Sequence, residues 1–145
     1  MRILGVLIFV LLSVGTQAQF WVRQRFEPPE LVDQYFVKEK SGIRVLNVKY
    51  MGSLNSIAYF LNKTPAFEIK SGLLLTTGFA QSASGRNLNG NSGAPMGYAG
   101  DRDLSRLVNA RTNDAAVLII EFESYTDSIE FKYFFGSEEY PEYVN

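Results

Sequence analysis

The chain has 145 residues, with 14 Lys and Arg against 15 Asp and Glu and a net charge of −1; it offers no electrostatic footprint for nucleic acid or an anionic membrane. It contains no His and no Cys, which excludes a Ser-His-Asp triad, imidazole or thiolate metal sites and a disulfide framework. Hydrophobic residues make up 46% and aromatic residues 14%, enough for one domain with its own core.

The first element is a leader. Arg2 is followed by an apolar run from Ile3 to Leu12, interrupted only by Gly5, and then by "SVGTQA". Thr16 and Ala18 are the small residues a signal peptidase reads, so the expected cut falls between Ala18 and Gln19. The apolar run is shorter than the roughly 20 residues that cross a bilayer. Residues 1–18 are therefore read as a secretory signal peptide, and the chain as secreted or cell-surface and not membrane-spanning. Loss of Arg2 leaves the exported chain one charge more negative.

Residues 19–29, "QFWVRQRFEPP", read as a lead-in. "ELVDQYFVKEKSG" then predicts one short helix. Leu31, Val32, Tyr35 and Phe36 form a single stripe, Pro29 and Glu30 suit its start, and Gly42 is placed as its C′ residue. From residue 43 the period changes to two: "IRVLNVKYMG" sets Ile43, Val45, Asn47 and Lys49 against Arg44, Leu46, Val48 and Tyr50, as in a strand. "SIAYFLN" and "FEIKSGLLLTTG" add short β-prone runs. "NKT" at 62–64 matches the glycosylation pattern and carries little weight here. Residues 78–100 are dominated by Gly, Asn, Ser and Ala. They form either a surface excursion or a binding loop over a sheet. "DRDLSRLVN" predicts a turn or two of helix capped by Asp101 or Asp103.

The last runs, "AAVLIIEFES" and "IEFKYFF", are joined by the polar "YTDS". Ala116, Leu118, Ile120 and Phe122 share one face of the first. Ile129, Phe131, Tyr133 and Phe135 share one face of the second, with Glu130 and Lys132 opposite. Both read as strands of one antiparallel hairpin, with Gly136 allowing the turn that follows. The expected fold is mainly β: an antiparallel sandwich of jelly-roll type with one short N-terminal helix.

"DAAVLIIEF" followed by "FKYFFGSEEYPEYVN" resembles the bacterial choice-of-anchor L domain, whose motif runs Phe-x-Tyr-x-Phe-Gly-Ser-Glu-Glu-Tyr-x-Glu-Tyr-Val. "LLLTTG" at 73–78, "GDRDL" at 100–104 and "GIRVLNVKYMG" match further elements in the same order. Thr76 stands where Ser is common and Glu123 where Asp is common. The resemblance spans residues 30–145, taken as the N-terminal part of that domain. It implies a bacterial surface protein and a domain incomplete at its C-terminus, with any anchor beyond residue 145.

The chemistry on offer is acidic. Asp101, Asp103, Glu138 and Glu139 lie in loops and are either solvated acids or a calcium site; calcium takes about six to eight oxygens and needs neither His nor Cys. A paired-carboxylate glycosidase needs two carboxyls roughly 5–10 Å apart. Glu138 and Glu139, adjacent in an extended segment, point apart, so one of them would have to act with Asp101. Tyr140 and Tyr143, with Tyr133, either stack on sugars or pack as core and rim. Trp21 reads as cover for a sheet end. The function expected is a non-enzymatic extracellular module in adhesion or scaffolding, with an extracellular protein or glycan as partner. The alternatives are calcium-dependent glycan binding or, further off, glycoside hydrolysis.

Overall fold

The computed structural model describes residues 20–65, 67–84 and 93–137. Among these the chain is mainly β, with two antiparallel sheets. The elements are β1 (Phe20–Arg23), α1 (Pro28–Leu31), a π-turn (Val32–Phe36), β2 (Ile43–Met51), β3 (Ile57–Asn62), β4 (Ser71–Leu75), α2 (Arg102–Leu107) and β5 (Val117–Ser124). One sheet has the order β1-β3-β4 and the other pairs β2 with β5, an arrangement consistent with a sandwich. Contacts of α1 with both β2 and β3 tie the two sheets together.

The three-stranded sheet holds the core. Residues 20–23, read above as lead-in, are one of its strands, with Val22 opposite Phe60 and Phe20 opposite Asn62. Val22, Ala58 and Ala80 are buried together, with Phe20 and Leu74 against them. Phe20 stacks on Phe60 at 5.2 Å between ring centroids. Gly72 leaves room for that ring, since a Cβ there would stand 3.3 Å from it. Asn62, the first residue of "NKT", is buried as well. Its amide donates to the carbonyls of Ile69 at 3.1 Å and Phe67 at 3.4 Å. Its role is to close the β3–β4 connection.

The N-terminal helix is shorter than predicted. Pro28 and Pro29 open it, and Leu31 N–H donates to the Glu27 carbonyl. The next turn widens: Val37 N–H reaches the Val32 carbonyl at 2.9 Å, and the backbone leaves the helix at Val37. The apolar pair Leu31 and Val32 is fully buried, so the predicted stripe holds over the turn that does form. Gly42 does adopt φ +72, but it is no helix cap. It sits at the entry to β2, where its carbonyl accepts the Tyr125 N–H at 2.8 Å.

β2 departs from strict alternation in an informative way. Val45 pairs with Phe122 and Asn47 with Glu121, leaving Leu46 as an extra residue. This bulge resets the phase. Ile43 and Val45 before it, and Val48 and Tyr50 after it, share the half-buried face. The two faces predicted for this strand are therefore exchanged halfway along. β5 keeps its predicted face: Leu118, Ile120 and Phe122 oppose Tyr50, Val48 and Val45. Across the outer face Arg44 pairs with Glu123 at 2.6 Å, and Asn47 donates to Glu121 at 3.4 Å.

The predicted hairpin is corrected. The partner of β5 is β2, and residues 129–135 form no strand among the described residues. Alternation in a sequence fixes which side chains share a face, not which backbone will pair. The run stays outside any sheet and exposed. Its ring contacts are Phe134 edge-on to Phe67 at 5.1 Å and Phe131 stacked on Tyr133 at 5.8 Å. Gly136 lies outside the left-handed backbone region, so it is not the special turn residue expected.

Candidate functional site

Two of the four predicted metal ligands are described, and both serve the start of α2. Asp101 is the N-cap. Its Oδ1 accepts the backbone N–H groups of Asp103 and Leu104, each at 2.9 Å, which satisfies two of the donors a helix leaves unpaired. Asp103 is exposed and lies 3.4 Å from Arg106 one turn on. Beneath them Ser105 and Thr112 lock the loop. Ser105 Oγ donates to the Asp101 carbonyl at 2.6 Å, and Thr112 Oγ1 accepts the Asp101 N–H at 3.0 Å. Gly100 is what allows this approach, since a Cβ there would collide with the Thr112 carbonyl.

Asp114, at the start of the run into β5, has φ +51 and accepts the Tyr98 N–H at 2.7 Å. The Tyr98 carbonyl receives the Asp114 N–H in return. The loop carboxylates at 101 and 114 are thus already bound to backbone amides. Among the described residues no group of three or more acids could hold a metal ion. Glu138 and Glu139, together with Tyr140 and Tyr143, lie outside the described residues.

A second candidate was missed by sequence reading. On β1 and β3, Trp21 stands opposite Leu61 and Arg23 opposite Tyr59. Opposed residues share a face, and Val22 between them points into the core, so all four lie on the other side of the sheet. The π-turn brings Tyr35 onto Tyr59 at 4.3 Å between centroids, with Phe26 behind Tyr35 at 4.9 Å. Trp21, Arg23, Tyr35, Tyr59 and Leu61 line a cleft of about 240 Å³. Lys63 Nζ lies 5.9 Å from the centre of the Trp21 ring. Trp21 is 45% exposed. The available signal was the alternation in "FWVR", which a four-residue run beside a leader is too short to establish.

Among the described residues the chain is mainly β, with two antiparallel sheets and no helix long and apolar enough to cross a membrane. Comparison with known families supplies the assignment: the choice-of-anchor L domain family matches residues 19–145. The chain belongs to that family, and membership implies a surface-associated bacterial protein, secreted or at the cell surface. The match begins at residue 19, so it includes β1. No curated protein and no solved structure matches the chain.

Proposed function

We propose that this chain is a non-enzymatic extracellular module of a surface-anchored bacterial protein, with an adhesive or scaffolding role. The observation that carries the reading is the family match across the whole segment after the expected cleavage site. A fractionation experiment in the native bacterium tests it. The protein is expected in the outer fraction with its N-terminus at Gln19, and cells lacking it are expected to attach less well. Cytoplasmic protein that keeps Met1, or unchanged attachment, overturns the reading, as does release of reducing sugar from polysaccharide by the purified chain.

Glycan binding is the second reading, favoured by the aromatic cleft of Trp21, Tyr35 and Tyr59. An exposed indole with half-buried tyrosine rings and polar groups beside it suits the apolar faces of sugars. In its calcium-dependent form, Asp101, Asp103, Glu138 and Glu139 supply the ion's oxygens. Extracellular calcium modules bind at about 10⁻⁴–10⁻³ M. Millimolar calcium would then stabilise the fold by about 0.4–1.4 kcal/mol, a rise in melting temperature of roughly 2–6 °C. Chelator should remove the rise and Glu138→Gln should blunt it. An equal rise with magnesium or sodium chloride would reduce it to screening.

A further inference from the structure

We propose that the cleft between Trp21 and Tyr59 binds an acidic sugar, a uronate unit of an anionic polysaccharide. The inference rests on the glycan reading and names the class of ligand. It starts from the charges. Arg23 lines the cleft beside Tyr59, and the Lys63 ammonium stands by Trp21. Among the described residues neither cation has an acidic partner; the three ion pairs are Arg44–Glu123, Arg106–Asp103 and Lys132–Glu130. Two cations without an acidic partner flank a sheet face that also carries a half-exposed indole, with the Lys63 ammonium over that ring. A ligand suited to both features is apolar on one side and negatively charged at an edge. A pyranose ring with a carboxylate at C5 has that form. Its C–H face stacks on the indole, and its carboxylate meets the guanidinium with charge-assisted hydrogen bonds.

The cleft is built to hold its shape. The Trp21 and Arg23 backbones are paired into the sheet with Leu61 and Tyr59. Tyr35 is fixed against Tyr59 by the π-turn, and single π-turns of this kind are frequent at functional sites. The volume, about 240 Å³, suits one sugar unit and not a folded partner.

Trp21 is the only tryptophan in the chain, so its fluorescence reports on this cleft alone. The exported protein is titrated with a galacturonate oligosaccharide, with an uncharged glucose oligosaccharide and with sodium acetate. Saturable change in Trp21 emission is expected with the galacturonate and with neither of the others. It should weaken as salt is raised. Arg23→Gln should weaken binding about tenfold or more. Lys63→Gln should act in the same direction, and circular dichroism should show both variants folded. An equal response to the uncharged oligosaccharide overturns the proposal and leaves the glycan reading standing. An acetate response of the same size overturns it as simple ion pairing. Calorimetric binding of galacturonate without any change at Trp21 overturns it by placing the ligand elsewhere. No binding of either oligosaccharide sinks the proposal together with the glycan reading, while leaving export and attachment to be judged by fractionation.

Discussion

Gly100 and Tyr50 show how single residues hold the loops around β2 and β5. At Gly100 the constraint is space. The Thr112 carbonyl occupies the position a Cβ would take, and the Asp101–Ser105–Thr112 hydrogen bonds prevent retreat. Gly100→Ala should therefore cost about 1–3 kcal/mol, read as a lower urea midpoint. Gly136→Ala, with nothing within 4 Å of the new methyl, should stay within about 0.5 kcal/mol of the parent. At Tyr50 the constraint is electrostatic. Its hydroxyl donates to the Ser53 carbonyl at 2.8 Å. Burial, and secondarily Tyr98, push its ionisation above the ordinary value of 10.0. The folded state therefore keeps this proton at a pH where the unfolded chain releases it. The contribution to stability is full below about pH 10 and is lost as pH rises through the folded-state value. Denaturation midpoints followed upward from about pH 8 should fall along an alkaline limb. Tyr50→Phe should make that limb shallower while lowering the neutral-pH midpoint by about 1 kcal/mol for the lost hydrogen bond. An unchanged alkaline limb would show that Tyr50 does not set it.

At the scale of elements, the parts legible in the sequence were those with a local cause. The cap of α2 is narrowed to Asp101 or Asp103 by sequence, because helix starts are decided within four residues, and the structure places the capping carboxylate at Asp101. β5 kept its predicted face because Leu118, Ile120 and Phe122 recur at every second position and no bulge interrupts them, although Val117 and Ile119 make the other face apolar too. Non-local pairing was not legible: the partner of β5 lies more than 60 residues upstream, at β2. The aromatic cleft was hidden for the same reason, since it needs β1, β3 and the π-turn brought together. In β2 the sequence carried the bulge, but as an apparent mismatch: Ile43 and Val45 fell on one face, Val48 and Tyr50 on the other. With Leu46 removed, the string Ile-Arg-Val-Asn-Val-Lys-Tyr alternates without fault. Deleting Leu46 should thus leave every β2–β5 pair in place and cost no more than about 1 kcal/mol, because the residue is unpaired and exposed. Deleting Val48 instead would turn Lys49 inward and Tyr50 outward, and should abolish cooperative unfolding. Equal damage from the two deletions, measured by chemical denaturation, would mean the bulge itself is required for the sheet.

For the molecule as a whole, the balance that decides its association lies between buried and exposed apolar surface. The core of Val22, Ala58 and Ala80 is small. The face of β2 and β5 that carries Val48, Ile120 and Phe122 is only partly covered. Beyond it Phe131, Tyr133 and Phe135 are 68%, 75% and 87% exposed. An exposed aromatic segment that is paired in no sheet is a template for another chain. Its charges suit a second copy: two such runs laid antiparallel about Phe131 place Glu130 of one against Lys132 of the other. Within one chain these two groups stand 4.0 Å apart. Pairing would set the two aromatic rows side by side on one face, each shielding part of the other, while keeping the opposite charges adjacent. The purified exported chain is therefore expected to self-associate, with a weight-average mass that climbs with concentration in sedimentation equilibrium. Burial of one Phe contributes about 1.5–3 kcal/mol, which is a factor of ten or more in association constant. Phe131→Lys removes that contribution and sets the introduced positive charges of the two copies against each other, so it should weaken association at least about tenfold. Leu107→Lys, an equally polar change on exposed α2, should leave association unchanged. A chain that stays monomeric at every concentration would show that residues 129–135 do not pair. Association that ignores Phe131→Lys would move the contact to the half-covered face of β2 and β5.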